Sequence, residues 1–161
     1  MIIKADKSDL AEIVDLIIQM YTEGGYHVLL RDDAGEFILQ IYKDLYDKGH
    51  AQHFIIRAES KIVALGGAFI KSDMLSSFRK EPFFGFLTNI YTIPEYRNKG
   101  YATLLTEKAI EWLRENKIND IKLVSTKNSR KIYEKMGFKA TDEMMLSTGS
   151  STLSENASSE K

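Results

Sequence analysis

The chain has 161 residues, of which 43% are hydrophobic and 28% charged, with a net charge of −1 and no cysteine. That length and apolar content suit one compact domain whose core needs no covalent staple. The charge balance excludes a general basic field for nucleic acid or an anionic membrane surface, and the missing cysteine excludes disulfides, thiolate metal sites and a cysteine nucleophile.

Residues Met1 to Asp6 hold no apolar signal core, and no segment approaches the ~18 apolar residues that a membrane-spanning helix needs, so a cytoplasmic location is expected. Ile2 to Ala5 fit a short strand. Leu10, Ile13, Val14, Ile17 and Tyr21 then recur at helical spacing, with Asp9, Glu12, Asp15 and Gln19 opposite, Asp6 or Ser8 as cap, and Gly24 with Gly25 as the break. Asp33 followed three residues later by Glu36 resembles a capping box. Phe37, Ile41 and Leu45 fall on one face of this second helix, which ends near Gly49. Two β-rich runs, Phe54 to Arg57 and Ile62 to Ile70, flank a polar turn at Glu59, Ser60 and Lys61 and predict a hairpin. Gly66 and Gly67 inside the second run signal a bulge or a close backbone approach.

A polar loop from Ser72 to Pro82 leads into Phe84 to Ile93, read as the central strand and stopped by Pro94. The aromatic stretch Met74 to Phe86 is expected to form a mobile cover over a cleft. Ala102, Leu105, Ala109, Trp112 and Leu113 make the inward stripe of a third helix closing near Asn116. Ile121 to Val124 predict a short strand, Ser129 to Met136 a short helix stopped by Gly137, and Phe138 to Leu146 a final strand. Residues 148–161 turn to Ser, Thr, Glu and Asn and are expected to be a disordered polar tail behind a domain of residues 1–147. The expected order is β-α-α-β-β-β-α-β-α-β, an α/β domain with one mixed, mostly antiparallel sheet flanked by helices.

After Pro94 the turn Arg97, Asn98, Lys99, Gly100, Tyr101 and Ala102 opens the third helix. The first N–H groups of a helix have no intrahelical partner and lie at the positive end of its dipole, so a pyrophosphate can accept them. Gly100 supplies permissive dihedrals, and Arg97 and Lys99 add charge. The alternative is a glycine-entered helix with two solvated cations. No G-x-x-x-x-G-K-[ST] and no G-x-G-x-x-G occurs, which argues against a P-loop or a Rossmann site.

This R-x-x-G-x-A turn and the later Y-x-K-x-G-F run, Tyr133 to Phe138, resemble in type and order the two motifs of the GNAT superfamily of acetyl-CoA-dependent N-acyltransferases. The likeness is sharpest from Leu87 to Phe138. It implies a single GNAT-like domain in which Ile90, Tyr91 and Thr92 lend main-chain groups to pantetheine and Arg97 through Thr103 hold the pyrophosphate. It also implies that Tyr133 assists the departing CoA thiolate. Where many members carry asparagine seven residues before that tyrosine, this chain has Thr126, with Asn128 two positions on, like bacterial members with an A-S-x-x-G-R-x-L-Y run. The corresponding pantetheine contacts fall on Thr126 and Asn128.

The resemblance implies acetyl-CoA as co-substrate and an amine acceptor. A non-catalytic acetyl-CoA-binding module and a plain structural domain are the alternatives. The sequence names no general base: Thr88, Asn89, Ser125 and Thr126 occupy the positions where some relatives place a glutamate. Glu23, Asp32, Asp33 and Glu36 gather between the first two helices and could attract a cationic amine, and His27 lies among them. His50 and His53 lack a third ligand, so no metal site is expected. Met144 and Met145 fit core or dimer-edge packing, and an edge strand with the aromatic loop could pair two copies as a homodimer.

Overall fold

One five-stranded sheet carries the fold, its strands lying side by side in chain order: β1 (Ile2–Lys4), β2 (Ala51–Ala58), β3 (Lys61–Ser72), β4 (Phe83–Thr92) and β5 (Ile121–Leu123). The computed structural model describes residues 1–73, 82–141, 143 and 144. Strands β1 to β4 pair antiparallel, and β5 joins β4 in parallel. The strand from Phe83 is therefore the fourth of five rather than central. Four helices cover the sheet: α1 (Leu10–Glu23), α2 (Ala34–Asp47), α3 (Tyr101–Glu115) and α4 (Lys127–Lys135).

Each face of the sheet buries its own core, because alternate side chains of a strand point to opposite sides. Leu10, Ile13 and Ile17 of α1 pack with Ile55, Leu65 and Tyr91, while Leu105, Ala109 and Leu113 of α3 pack with Phe54, Ala64 and Leu87. The stripe read for α3 is the buried one, and Asn116 caps it as expected. Asp6 closes a reciprocal capping box before α1: Ser8 N–H donates to Asp6 Oδ1 at 2.7 Å and Asp6 N–H to Asp9 Oδ2 at 2.9 Å.

Helix α2 departs from the sequence reading. Asp33 sits at its N-cap but makes no side-chain cap bond, because Arg31 takes its carboxylate through Nε at 2.7 Å and Nη2 at 2.9 Å. Of the expected Phe37–Ile41–Leu45 face, Phe37 and Ile41 are turned outward, 46% and 39% exposed, while Leu45 is half-buried against the core beside Ile38, Leu39 and Tyr46; the buried residues of the helix are Ala34 and Tyr42. Residues 138–141, 143 and 144 of the expected last strand are in no ladder, and the remainder of that strand lies outside the described residues. Met144 is 94% exposed, so it packs in no core. Of the stretch Met74 to Phe86 expected to cover a cleft, Phe83 to Phe86 belong to β4 instead, and 74–81, like the tail, fall outside the described residues. No helix among the described residues is long and apolar enough to cross a membrane.

Ala58 pairs with Lys61, leaving Glu59 and Ser60 as a two-residue hairpin turn in which both residues have positive φ, 52° and 88°. A turn with two left-handed residues matches strand twist but suits Asn-Gly better than Glu-Ser. Replacing the pair by Glu59→Asn with Ser60→Gly is expected to raise stability by about 1 kcal/mol, or roughly 3 °C in Tm. Thermal unfolding of the double variant checks this; an unchanged or lower Tm would reject it.

Candidate functional site

Strand β4 is shared unequally between its neighbours. It pairs with β5 only over Gly85 to Leu87, opposite Ile121 to Leu123, so beyond Leu87 this edge has no partner strand among the described residues. On the other side, Leu65 pairs with Tyr91 and Gly67 with Thr88, which leaves one residue of β3, Gly66, facing two of β4, Asn89 and Ile90. This is a bulge on β4, and Asn89 makes it by adopting φ 57°. Ile93 N–H donates to Val63 O at 3.0 Å. By the alternation of a strand Tyr91 then faces β3 as well, while the amides of Thr92 and Ile90 face the opening.

Gly66 makes room for this arrangement. A Cβ built there would lie 2.8 Å from Ile90 Cδ1 and 3.2 Å from Leu105 Cβ, so only glycine lets the bulged residue and α3 approach so closely. The glycine pair read from the sequence thus marks a bulge, though the extra residue belongs to the facing strand.

Beyond Pro94 the chain makes a tight bend into α3. Asn98 has φ 63° and Gly100 φ 77°, and Gly100 is the N-cap without any side-chain cap bond. The first helical bond runs from Leu104 N–H to Gly100 O at 3.2 Å. Among the described residues no acceptor takes the N–H of Asn98, Lys99, Gly100, Tyr101, Ala102 or Thr103. Six successive amides at a helix N-terminus are a concentration of positive main-chain dipole suited to an anion.

The side chains of the turn behave differently from expectation. The Arg97 guanidinium is committed elsewhere: Nε donates to Thr92 O at 2.9 Å, Nη2 pairs with Glu23, and the group stands 5.7 Å from the Tyr91 ring centroid. Tyr91 O–H donates to the same carboxylate at 2.7 Å. These bonds, Arg97's first, hold Glu23 below the ordinary carboxylate range, and burial with the adjacent carboxylate pushes Tyr91 up to about 12. The pair ties the end of α1 to the end of β4 and removes Arg97 as a free phosphate cation. Lys99 remains at the turn, its Nζ 4.5 Å from the Tyr96 ring centroid. With Glu23 paired to Arg97 and Asp33 to Arg31, only Asp32 and Glu36 of the expected acidic group stay unpaired among the described residues.

Beneath the bulge lies a buried polar cluster that the sequence reading missed. Asn89, 7% exposed, donates from Nδ2 to Tyr42 Oη at 2.7 Å, and Thr88 Oγ1 donates to Asn89 Oδ1 at 3.3 Å. Tyr42 packs on the His53 ring with centroids 4.9 Å apart and on Phe69 at 5.4 Å. Tyr46, one turn along α2, accepts the His53 backbone N–H at 2.9 Å and meets Nδ1 at 3.0 Å. His53 is fully buried, and its Nε2 has no partner among the described residues. The only signal in the sequence was an asparagine interrupting an apolar strand, since Asn is the side-chain-bearing residue that most readily turns left-handed.

Tyr133 is buried with its ring edge-on to Phe138 at 5.9 Å, and burial raises its hydroxyl pKa. It lines a hollow of about 230 Å³ with Leu123, Ser125, Arg130 and Phe138, outside β5; none of Ile90 to Thr103 lines that hollow. Thr126 is the N-cap of α4: its Oγ1 accepts from Ser129 N–H at 3.2 Å, and Ser129 Oγ accepts from Thr126 N–H at 3.1 Å. The hydroxyl expected to touch pantetheine is thus used in the cap. Asn128 lies in the first turn of the same helix.

The profile of the Acetyltransferase (GNAT) family matches residues 11–138. Solved structures share the fold. One is a predicted acetyltransferase from Clostridium acetobutylicum crystallised with acetyl-CoA, 24% identical, with a TM-score of 0.83 over 91% of this chain and 94% of its own. A GCN5-related N-acetyltransferase from Ralstonia eutropha is 18% identical, with a TM-score of 0.79 over 91% and 97%. The glucosamine-6-phosphate N-acetyltransferase of Arabidopsis thaliana is 18% identical, with a TM-score of 0.70 over 91% and 96%. No curated protein matches the chain.

Burial pushes His53 down to about 3 from an ordinary value of 6.5. Below pH 6.5 the unfolded chain binds a proton that the folded chain refuses, so this contribution is complete above 6.5 and is lost as the pH falls toward 3. Relative to a His53→Gln variant, the protein is expected to lose about 2 kcal/mol more stability between pH 7 and pH 5. Urea unfolding of both proteins at the two pH values measures it, and parallel losses would contradict the buried neutral imidazole.

Proposed function

We propose, for a chain that belongs to the Acetyltransferase (GNAT) family, that it is an N-acetyltransferase moving the acetyl group of acetyl-CoA to a primary amine by direct attack. The observation that carries this reading is the run of six unengaged amides from Asn98 to Thr103 beside the open edge of β4. A pyrophosphate offers acceptors for the first set, and the amide-bearing pantetheine arm can pair with the outward main-chain groups of Ile90 and Thr92 as an added strand would; Tyr91, expected from the sequence to join them, faces β3 instead. With Arg97 tied to Glu23, the anion is held chiefly by main chain, with Lys99 as the adjacent cation.

In the reaction the amine nitrogen attacks the thioester carbonyl carbon, the oxyanion is steadied by an outward amide of the bulge, and the C–S bond breaks as the intermediate collapses. The amine gives up a proton and the departing thiolate gains one. An alkyl amine with pKa near ~10.4 is about one part in 10³ free base at pH 7, so a dry pocket or a water relay assists. His53, buried and held neutral, and Glu23, ion-paired, are poorly suited as the base. Tyr133 is cast as a hydrogen-bond donor to the leaving sulfur. Full proton transfer from tyrosine at ~10 to a thiolate at ~8.5 is uphill by about 2 kcal/mol, and burial adds to that. On the acceptor side, attraction of a cationic amine rests on Asp32 and Glu36, while exposed Val28, Phe37 and Ile41 offer apolar contact.

Acetyl-CoA at 100 times its Kd is expected to stabilise the protein by about 2.7 kcal/mol. A Gly100→Val variant, whose Cβ has open space but whose φ stays unfavourable, should bind at least tenfold more weakly. Thermal shift with both proteins decides, and no shift for the unaltered chain would overturn the cofactor assignment. Thiol release from acetyl-CoA over a panel of amines tests transfer itself: binding without release would make the protein a binding module. With a turned-over amine, Tyr133→Phe should lower kcat about tenfold while leaving the acetyl-CoA KM within twofold, and an unchanged kcat would remove Tyr133 from the reaction.

A further inference from the structure

The bulge depends on one residue holding a conformation that costs an ordinary side chain free energy. Asn89 has φ 57° in the middle of a strand whose neighbours are extended, and it faces Gly66 together with Ile90. Without something to hold it there, a slip by one residue would restore a regular ladder and turn the Ile90 amide toward β3. The Asn89 side chain is buried, and its strongest bond, 2.7 Å, goes to the hydroxyl of Tyr42 on α2. Its other contact, to the neighbouring Thr88 hydroxyl, is local at 3.3 Å and cannot anchor it to another element.

Tyr42 is in turn held by two rings. Its ring packs on His53 and Phe69, and His53 is clamped by two contacts with Tyr46, the residue one turn along the same helix. Helix α2 therefore reaches the sheet at two points on either side of β3, Asn89 on β4 and His53 on β2, through two tyrosines spaced four apart. Such spacing puts both side chains on one face of the helix.

We propose that Tyr42 is a positioning residue for acyl transfer: through its bond to Asn89 it locks the β4 bulge and so aims the Ile90 amide into the opening where the thioester carbonyl would lie. The proposal rests on the transfer reading above. It assigns to α2, which contributes no group to the cofactor contacts, control over the geometry of the oxyanion donor.

The test compares the unaltered protein with Tyr42→Phe, Asn89→Gly and the double variant, by nuclear magnetic resonance and by steady-state kinetics. In Tyr42→Phe the Asn89 α- and β-carbon shifts are expected to lose their left-handed values while β2 resonances stay in place. For a turned-over amine, kcat should fall about tenfold with the acetyl-CoA KM within twofold. Because both changes break one bond, Asn89→Gly with and without Tyr42→Phe should differ in kcat by less than twofold. Retained Asn89 shifts with unchanged kcat, an effect on KM alone, or losses that multiply in the double variant would each overturn the proposal. Should Tyr42→Phe not fold, Asn89→Ala severs the same bond from the other end without glycine's freedom to stay left-handed unaided, and an unchanged kcat there is equally decisive against it. If no amine in the panel releases CoA from the unaltered protein, the transfer reading fails, and the carbon shifts alone decide whether Tyr42 locks the bulge.

Discussion

A strand has two rows of hydrogen-bonding groups, and β4 lacks a neighbour for one of them. β3 takes one row along most of the length, but β5 leaves the other after Leu87. Everything at the candidate site follows from this unequal sharing. The left-handed Asn89 makes the bulge beside which the Ile90 amide faces the opening, Gly66 leaves room for Ile90 and Leu105 behind it, and α3 is thereby seated close against β3. The unsatisfied edge of β4 and the unsatisfied N-terminus of α3 are separated by only the bend from Ile93 to Gly100. Two deficits that would destabilise a fold if buried are left adjacent and accessible, which is what a ligand rich in acceptors and amides requires.

Charge is distributed with the same logic. Arg97 and Glu23 neutralise one another, so Arg97 braces α1 against β4 instead of reaching for an anion. Such a pair, partly exposed, is a modest source of stability. Its structural effect is positional: Tyr91 O–H is held by the same carboxylate, so one side chain joins the end of the strand, the end of α1 and the bend. Between α1 and α2 Arg31 does likewise for Asp33, so two of the four carboxylates from Glu23 to Glu36 are ion-paired.

Features governed by local chemistry were legible in the sequence. The apolar stripes of α1 and α3, the hairpin at Glu59 and Ser60, the cap at Asp6 and the glycine entry into α3 depend on neighbours within a few residues. Each is found where the spacing places it. What was not legible depended on partners distant along the chain. Asp33 has the spacing of a capping box, but Arg31 competes for the same oxygens. Phe37 and Ile41 have helical spacing, but Tyr42, chosen by Asn89 and His53, sets which side of α2 faces the sheet. Arg97 reads as a free cation in the sequence because its ion-pair partner lies 74 residues away. The bulge itself was half visible, through Gly66, while its author, Asn89, reads like any polar residue in a half-exposed strand.

The bend at Asn98 to Gly100 has an implication for how freely this protein can drift. A recognition surface assembled from peptide groups is written in torsion angles, not in side-chain identities, so exchanges at Tyr101, Ala102 or Thr103 that preserve the helix leave its donors in place. Heritable variation should thus be tolerated broadly in the first turn of α3 and narrowly at the two left-handed positions, Asn98 with φ 63° and Gly100 with φ 77°.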